Sequence, residues 1–193
     1  GALLRVGRVV LGEQLELDLL ATDHHALGVE LLDGHAGAVL VVLAQLRDAA
    51  AGRTDVTDRD NLIPARFDNV SDTLLCTRIA NAAGVSVGTI EHLMAALSGC
   101  GVSNVLIDVS GPELPIMDGS AGPFGFLLQS AGIEEQPAAK RFVRIKKSVK
   151  VEDGDKWARF DPYDGFKVNF EIEFDHPVFK RRSQVASMDF STT

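Results

Sequence analysis

Between residues 166 and 174 every second residue is apolar, and this alternation is the strongest folding signal in the chain. The apolar positions are Phe166, Val168, Phe170, Ile172 and Phe174, and the residues between them are polar or charged. Successive side chains of a β-strand point to opposite faces, so the pattern predicts a strand with one face in a core and the other in water. Such strands are typical of antiparallel sheets. We therefore expect an antiparallel meander in the C-terminal part, with a turn at residues 152–155.

Helix and strand signals follow each other closely in the middle of the chain. Thr89 is a residue type favoured at helix N-caps, and Gly99 at the residue after a helix, so we predict a helix over residues 90–98. Residues 102–109 alternate and predict a strand, with an apolar face formed by Val105, Ile107 and Val109. Pro123 predicts the start of a second helix, whose apolar stripe is Phe124, Leu127, Leu128 and Ala131.

These signals together predict an α+β fold class in which helices are layered on sheets. In the first 52 residues, short strands are expected within residues 12–20 and 27–43, and residues 44–51 fit either a strand or a helical turn. Charge and pattern both change near Lys140. We therefore predict a first α+β domain over residues 1–139 and the opening strands of a second, similar domain over residues 140–193.

Composition restricts the function classes. With 193 residues, 46% of them apolar, the chain is able to bury a sizeable core, which excludes a disordered or fibrous protein. The net charge of −8 argues against general nucleic-acid binding. Two cysteines, Cys76 and Cys100, are too few for a disulfide framework and fit a reducing compartment. No apolar run reaches the roughly 20 residues of a bilayer-spanning helix. We expect a cytoplasmic protein without an integral membrane segment.

Glu91 and His92 are the residues most suited to chemistry. At about 100° per residue they fall off the apolar face of the predicted helix and into its first turn. The positive end of the helix dipole there stabilises a carboxylate and favours a neutral imidazole. A neutral imidazole binds metals, and an adjacent carboxylate serves as a general base. The alternative is structural, because a first-turn glutamate is also ordinary helix-capping chemistry.

The remaining histidines do not complete a metal site by spacing. A zinc site needs three or four ligands, and the sequence has no HxxxH, HxH or CxxC pattern. It also lacks the GxxxxGK[ST] and GxGxxG patterns, so nucleotide P-loop and Rossmann functions have no support.

Six segments, taken in order, resemble one known family. They are residues 72–77 (DTLLCT), 89–93 (TIEHL), 111–120 (GPELPIMDGS), 142–146 (FVRIK), 151–157 (VEDGDKW) and 174–177 (FDHP). The chain resembles the UDP-3-O-acyl-N-acetylglucosamine deacetylases, the zinc amidases of lipid A biosynthesis. The resemblance covers residues 53–193, and the first 52 residues are atypical of the family.

The resemblance implies two α+β domains of like topology with the active site between them. It implies that His92 binds zinc and that Glu91 is the general base. Leu75 and Cys76 match residues that line the family's site. Lys156 and Phe174 match positions that contact the UDP part of the substrate, by charge on phosphate and by packing on uracil.

The family's pattern continues beyond the point that matches Thr193, and the resemblance places the other zinc ligands and the proton donor to the leaving amine there. The expected activity is removal of the N-acetyl group of UDP-3-O-(3-hydroxyacyl)-N-acetylglucosamine, with release of acetate, and the partner is that UDP-linked acylated glucosamine. We expect the 193-residue chain alone to have negligible activity. The alternative is a non-catalytic or vestigial fragment of the same fold that binds the nucleotide sugar.

Overall fold

A computed structural model describes residues 4–6, 16–18, 48–135, 142–172 and 184–190, and within these ranges the chain forms short strands and two α-helices. Before residue 121 the strands are β1 (Leu4–Val6), β2 (Glu16–Asp18), β3 (Asp48–Arg53), β4 (Leu62–Pro64), β5 (Val70–Asp72), β6 (Arg78–Ala80), β7 (Ser86–Val87) and β8 (Asn104–Val109). The helices are α1 (Glu91–Gly99) and α2 (Gly122–Ala131). The later strands are β9 (Phe142–Arg144), β10 (Val149–Asp153), β11 (Lys156–Phe160), β12 (Lys167–Ile172) and β13 (Gln184–Asp189). The predicted α+β fold class is confirmed.

The main sheet has four strands in the order β1-β8-β3-β4. Its two central strands, β3 and β8, run parallel, from Asp48 opposite Asn104 to Arg53 opposite Val109. The outer strands β1 and β4 pair antiparallel with them. Parallel neighbours need a long crossover connection. Here the crossover is residues 54–103, and it carries α1.

The Ala-rich segment before Arg53 is a strand, so the helical alternative for residues 44–51 is wrong over the described positions 48–51. Alanine has the highest helix propensity, but β3 is paired on both edges, with β8 on one side and β4 on the other. Tertiary pairing therefore overrides the local preference, and the small side chains of Ala49 and Ala51 face the core.

One hydrophobic cluster fills the space between the main sheet and the two helices. The sheet contributes Val105, Ile107 and Val109 from one face of β8, as predicted. The helices contribute Leu93, Met94, Leu97, Phe124 and Leu128. This arrangement is a two-layer sheet-and-helix packing, and it determines which face of α1 points inward.

The predicted stripe of α2 is partly wrong. Phe124 and Leu128, one turn apart, are fully buried, but Leu127 is 40% exposed and Ala131 is also exposed. The buried face of α2 is therefore a single row of residues four apart, because this helix packs at the rim of the cluster rather than across it.

Arg53 joins the main sheet to the small antiparallel sheet β5-β6-β7. Its Nη1 donates to the carbonyl oxygen of Ser86 at 2.7 Å, and its Nε and Nη2 donate to the two carboxylate oxygens of Asp55 at 2.8 and 2.7 Å. The hydrogen bond from Arg53 holds the pKa of the Asp55 carboxyl below its usual range. The buried guanidinium thus has a partner on each side.

Beyond α2 the chain forms the hairpin β10-β11 and the antiparallel pair β12-β13. Gly154 adopts φ 61° in the hairpin turn, which confirms the turn predicted at residues 152–155. The predicted strand with alternating faces is confirmed in β12, where Val168, Phe170 and Ile172 are half-buried and the intervening residues are exposed. Phe174 lies outside the described residues.

The domain boundary predicted near Lys140 also falls outside the described residues and stays a prediction. A parallel pairing between β2 and β9 joins a strand from each side of it. No helix among the described residues is long and apolar enough to cross a membrane.

The outer edge of β4 is chemically closed. In an antiparallel pair, alternate residues direct their backbone N–H and C=O groups toward the partner strand. Asn61 and Ala65 bond to β3, so the backbone groups of Leu62 and Pro64 face away from it. The Leu62 N–H donates to Asp60 Oδ1 at 3.1 Å. The Leu62 and Pro64 carbonyls accept from the side-chain amides of Asn81, at 3.1 Å, and Asn69, at 2.8 Å. Pro64 itself has no N–H.

Neighbouring residues of β8 test the two-layer packing. Ile107 is 1% exposed, so Ile107→Ala is expected to lower the free energy of unfolding by about 2–5 kcal/mol through lost burial and a cavity. Leu106 is 49% exposed on the opposite face, and Leu106→Ala is expected to cost less than about 1 kcal/mol. Urea unfolding followed by circular dichroism measures both, and equal losses would contradict the packing.

Candidate active site

Glu91 and His92 are the first two residues of α1 and lie where the core meets solvent. Both side chains are half-buried, whereas Leu93, Met94 and Leu97 are buried in the hydrophobic cluster. Packing of these apolar residues sets the rotation of the helix. The two polar side chains are therefore held at the rim rather than free on the surface.

The prediction that Thr89 caps this helix is wrong. Ile90 occupies the capping position with helical backbone angles, and no side chain caps the first turn. Thr89 adopts φ 56°, and its hydroxyl donates to Glu113 Oε1 at 2.5 Å. The left-handed backbone directs this side chain to a neighbouring loop, so it does not reach the free amides of its own helix.

One oxygen of the Glu91 carboxylate has a fixed partner. The Thr77 N–H donates to Glu91 Oε2 at 3.1 Å, and the Ile90 N–H donates to the Thr77 carbonyl oxygen at 3.3 Å. Among the described residues the structure records no hydrogen bond to Glu91 Oε1. The carboxylate is thus oriented by a buried backbone amide on a different loop, with its second oxygen available for another proton donor.

His92 has an acidic neighbour and no hydrogen bond to any described residue. The neighbour is Asp118, whose carboxylate accepts from the backbone N–H and the hydroxyl of Ser120, at 2.9 and 2.8 Å. These bonds, the backbone one foremost, hold the pKa of Asp118 below its usual range, and His92 adds a smaller lowering. Neither ring nitrogen of His92 has a hydrogen-bond partner within the described part of the chain, so one of them is available to bind a metal ion.

Leu75 and Cys76 lie on the loop that ends at Thr77, beside the Glu91 carboxylate. Leu75 is 98% exposed and adopts φ 64°, and Cys76 is half-buried. The hydrogen bond from Thr77 to Glu91 ties this loop to the start of α1. Leu75 and Cys76 therefore directly precede Thr77, the residue whose backbone N–H binds the Glu91 carboxylate.

The non-glycine residues with positive φ in the described ranges are Leu75, Thr89 and Met117. Leu75 precedes the amide that holds Glu91, Thr89 precedes α1, and Met117 precedes Asp118. Each such conformation costs of order 1–3 kcal/mol and persists only where the surrounding structure demands it. Strain of this kind gathers at functional sites, and here it occurs on all three loops around the start of α1.

Lys156 begins β11 in a different part of the structure. Its side chain is exposed and shares a strand face with Ala158 and Phe160, opposite the face of Trp157 and Arg159. Arg159 and Lys150 both lie over the Trp157 ring, at 5.7 and 5.4 Å from its centre. Phe174, the other predicted UDP contact, falls in a stretch that is not described.

Comparison with known proteins identifies the family. The sequence model of the family described as "LpxC: UDP-3-O-acyl N-acetylglycosamine deacetylase" matches residues 20–193. The chain belongs to the LpxC family. The match starts at residue 20, so it includes part of the first 52 residues in which we saw no resemblance.

Curated relatives agree with the family match. The UDP-3-O-acyl-N-acetylglucosamine deacetylase of Methylococcus capsulatus is 60% identical over 132 residues, which is 68% of this chain and 43% of that protein. The protein of the same name from Shewanella denitrificans is 49% identical over 86% of this chain and 54% of its own length. That from Vibrio vulnificus is 54% identical over 78% of this chain and 51% of its own length. The chain spans about half the length of the relatives it matches.

The donor set of the described residues is suited to part of a metal site. Within residues 48–135 and the other described ranges, no group of three or more His, Cys, Asp or Glu side chains is placed to hold a metal ion. The uncommitted imidazole of His92 fits a single zinc ligand. For an LpxC-family zinc site, further ligands would have to come from outside the described residues.

Sequence reasoning missed Thr77, Glu113 and Asp118 as parts of this site. Thr77 acts through its backbone, which no side-chain pattern reveals. Asp118 stands in an Asp-Gly-Ser sequence that favours a turn closed by the aspartate side chain, a signal that was available.

The Asp118 carboxyl provides a pH test. Ser120→Ala removes the hydroxyl bond to Asp118 and is expected to raise the pKa of that carboxyl toward its usual value, measured by carboxyl-detected NMR. Because the folded pKa is depressed, the bond stabilises the protein above the unfolded pKa, and this contribution is lost as pH falls through the folded pKa. The difference in stability between wild type and variant should shrink on acidification.

Asp161 is the internal control for this titration. Its pKa is lowered by hydrogen bonds from Ser148 and Arg159, and Ser120→Ala should leave it unchanged. If Asp118 and Asp161 moved together, the variant would have altered the fold, and if neither moved, the Ser120 hydroxyl would have no influence on Asp118.

Proposed function

We propose that this chain is part of a zinc-dependent amide hydrolase that removes the N-acetyl group of UDP-3-O-(3-hydroxyacyl)-N-acetylglucosamine in lipid A biosynthesis. The observation that carries the proposal is the arrangement at the start of α1. One oxygen of the Glu91 carboxylate is held by the Thr77 amide, the other is open, and the next residue is an uncommitted imidazole. The names of the curated relatives support the choice of substrate.

In the proposed reaction Glu91 is the general base and His92 one ligand of the zinc ion. A bound zinc ion would polarise the amide carbonyl and acidify a water molecule. Glu91 Oε1 accepts a proton from the attacking water, whose oxygen bonds to the acetyl carbon. The carbon–nitrogen bond then breaks, and the nitrogen takes a proton from a group outside the described residues. The products are acetate and the free amine.

The hydrogen bond from Thr77 suits Glu91 to this role. A general base must be held within reach of the proton that it accepts. The Thr77 amide is buried and belongs to a different loop, so it restricts rotation of the carboxylate without occupying Oε1. If Glu91 served only its own helix, its carboxylate would instead bond to first-turn amides.

We assign the substrate contacts to the other four predicted residues. The exposed side chain of Leu75 and the thiol of Cys76 would offer apolar surface to the substrate from the loop whose Thr77 amide holds Glu91. Lys156 would pair with the diphosphate, and Phe174 would pack on uracil. We also propose two α+β domains with the site between them and a cytoplasmic location, which the unpaired state of Cys76 and Cys100 suits.

A second candidate function rests on the incomplete donor set. Because the described residues supply one uncommitted imidazole and no metal cluster, this chain by itself fits a nucleotide-sugar-binding fragment without catalysis. We expect the isolated 193-residue chain to hydrolyse no measurable substrate. Zinc-dependent turnover by the isolated chain would contradict that expectation, and binding of a UDP-sugar by a full-length product without turnover would favour the second function.

The carboxylate of Glu91 is tested by Glu91→Gln in the full-length gene product. The amide oxygen of glutamine still accepts the Thr77 hydrogen bond but cannot act as a base. We expect kcat to fall by about 10²–10⁴-fold with KM little changed. Deacetylation of the UDP-linked substrate is followed by acetate release.

Two further variants complete that experiment. His92→Ala should lose bound zinc, measured by metal analysis of the purified protein, as well as activity. Glu135→Gln, at an exposed glutamate after α2, makes the same chemical change elsewhere and should behave as wild type. Full activity in Glu91→Gln would exclude Glu91 as the base.

Lys156 is tested by its charge. Lys156→Met in the full-length product should raise KM for the UDP-linked substrate by about tenfold and leave kcat nearly unchanged, because a charge-assisted contact to phosphate is lost. Lys150→Met, on the opposite face of the same hairpin, is the matched control and should leave both constants unchanged. An equal effect of both substitutions would indicate general electrostatic attraction rather than a specific contact.

A further inference from the structure

Two loops meet immediately before α1 and are joined there by three hydrogen bonds. The Gly88 N–H donates to the Pro112 carbonyl oxygen at 2.9 Å, and the Leu114 N–H donates to the Gly88 carbonyl oxygen at 3.1 Å. The Thr89 hydroxyl adds its bond to Glu113 Oε1 at 2.5 Å. We call residues 88–89 and 112–114, joined by these three bonds, the clasp.

The side-chain bond of the clasp holds an unfavourable backbone. Thr89 is β-branched and 6% exposed, yet it adopts the left-handed conformation that such residues avoid. The two backbone bonds use the N–H and carbonyl of Gly88 and do not involve the side chain at position 89. The hydroxyl bond to Glu113 is therefore the part of the clasp that depends on side-chain chemistry.

The clasp lies between the groups of the candidate site. Thr89 is followed by Ile90, whose amide bonds to Thr77, and then by Glu91 and His92. On the other loop Leu114 is buried in the hydrophobic cluster and is followed by the strained Met117 and by Asp118. A change of backbone angle at Thr89 would therefore turn the first residues of α1 relative to both Thr77 and Asp118.

We propose that Thr89 and Glu113 are positioning residues for the proposed deacetylation. Their hydrogen bond fixes the backbone of Thr89 and so the direction in which Glu91 and His92 project. Neither side chain takes part in proton transfer or metal binding. This inference rests on the proposed function, because the Thr89–Glu113 hydrogen bond is proposed to align Glu91 as the general base and His92 as the metal ligand.

The experiment compares substitutions of Thr89 and Glu113 in the full-length product. Thr89→Ser keeps the hydroxyl and should retain activity within about threefold. Thr89→Val keeps the β-branched shape but loses the hydroxyl, and Glu113→Ala loses the acceptor. Both should lower kcat by about ten- to a hundredfold with KM nearly unchanged, since small misplacements of reacting groups have effects of this size. The double variant should be no worse than either single one, because both remove the same bond.

Thr89→Gly separates positioning from stability. Glycine accepts the left-handed backbone without strain and cannot form the hydrogen bond. We expect kcat to fall as in Thr89→Val while the thermal unfolding midpoint falls less than in Thr89→Val, because relief of the backbone strain offsets part of the loss. Thr54→Val is the matched control, because the Thr54 hydroxyl donates to the Val109 carbonyl oxygen, outside the clasp, and the variant should keep wild-type kcat.

Two results would overturn the proposal. One is equal kcat in Thr89→Ser and Thr89→Val, and the other is a loss of activity that follows the loss of unfolding midpoint across the series. If the wild-type product deacetylates no substrate, the proposed function fails, and hydrogen–deuterium exchange decides the clasp separately. Faster exchange of the amides of residues 90–94 in Thr89→Val but not in Thr89→Ser supports it, and unchanged exchange in both rejects it.

Discussion

The parallel pairing of β3 with β8 is the constraint on which the structure of residues 48–135 depends. Two parallel neighbours cannot be joined by a tight turn, so after β4 the chain must leave the sheet, cross one face and return at β8. That crossover contains the small sheet, the loop ending at Thr77, and α1. The helix is pressed onto the sheet by Leu93 and Leu97, and this packing determines which of its side chains stay at the rim. Glu91 and His92 are at the rim because their helix is a crossover helix.

Side-chain periodicity predicted the parts of the fold in which one face is buried. The alternation of β8 and β12 and the inward face of α1 were readable because burial imposes a period of two or 3.6 residues. The residues of β3 fit strand and helix equally by local pattern, because alanine has a helical preference and only pairing with β4 and with the sequence-distant β8 makes this segment extended. In α2 the helix was predictable, but its shallow packing, with Leu127 exposed, depends on where the cluster ends.

Prediction of the site followed the same division. Glu91 and His92 were recognisable as side chains off an apolar face, and the family motifs gave them roles. The contacts that hold them were not recognisable, since one donor is the backbone amide of Thr77 and another contact depends on a left-handed Thr89. Residue propensity alone assigns a threonine before a helix to the N-cap. In the structure the Thr89 hydroxyl instead donates to Glu113 on a second loop. Contacts made through backbone groups and through strained residues have no signature in side-chain type.

The closed edge of β4 has a consequence for how this molecule behaves at high concentration. An open strand edge offers unpaired amides and carbonyls to any other extended chain and is a common start of intermolecular sheet growth. At β4 the outward groups of Leu62 and Pro64 are already occupied by the side chains of Asp60, Asn69 and Asn81, or missing because proline has no amide hydrogen. Three short polar side chains and one proline thus protect the main sheet from strand addition on this side. Aggregation of this protein would have to begin at another surface.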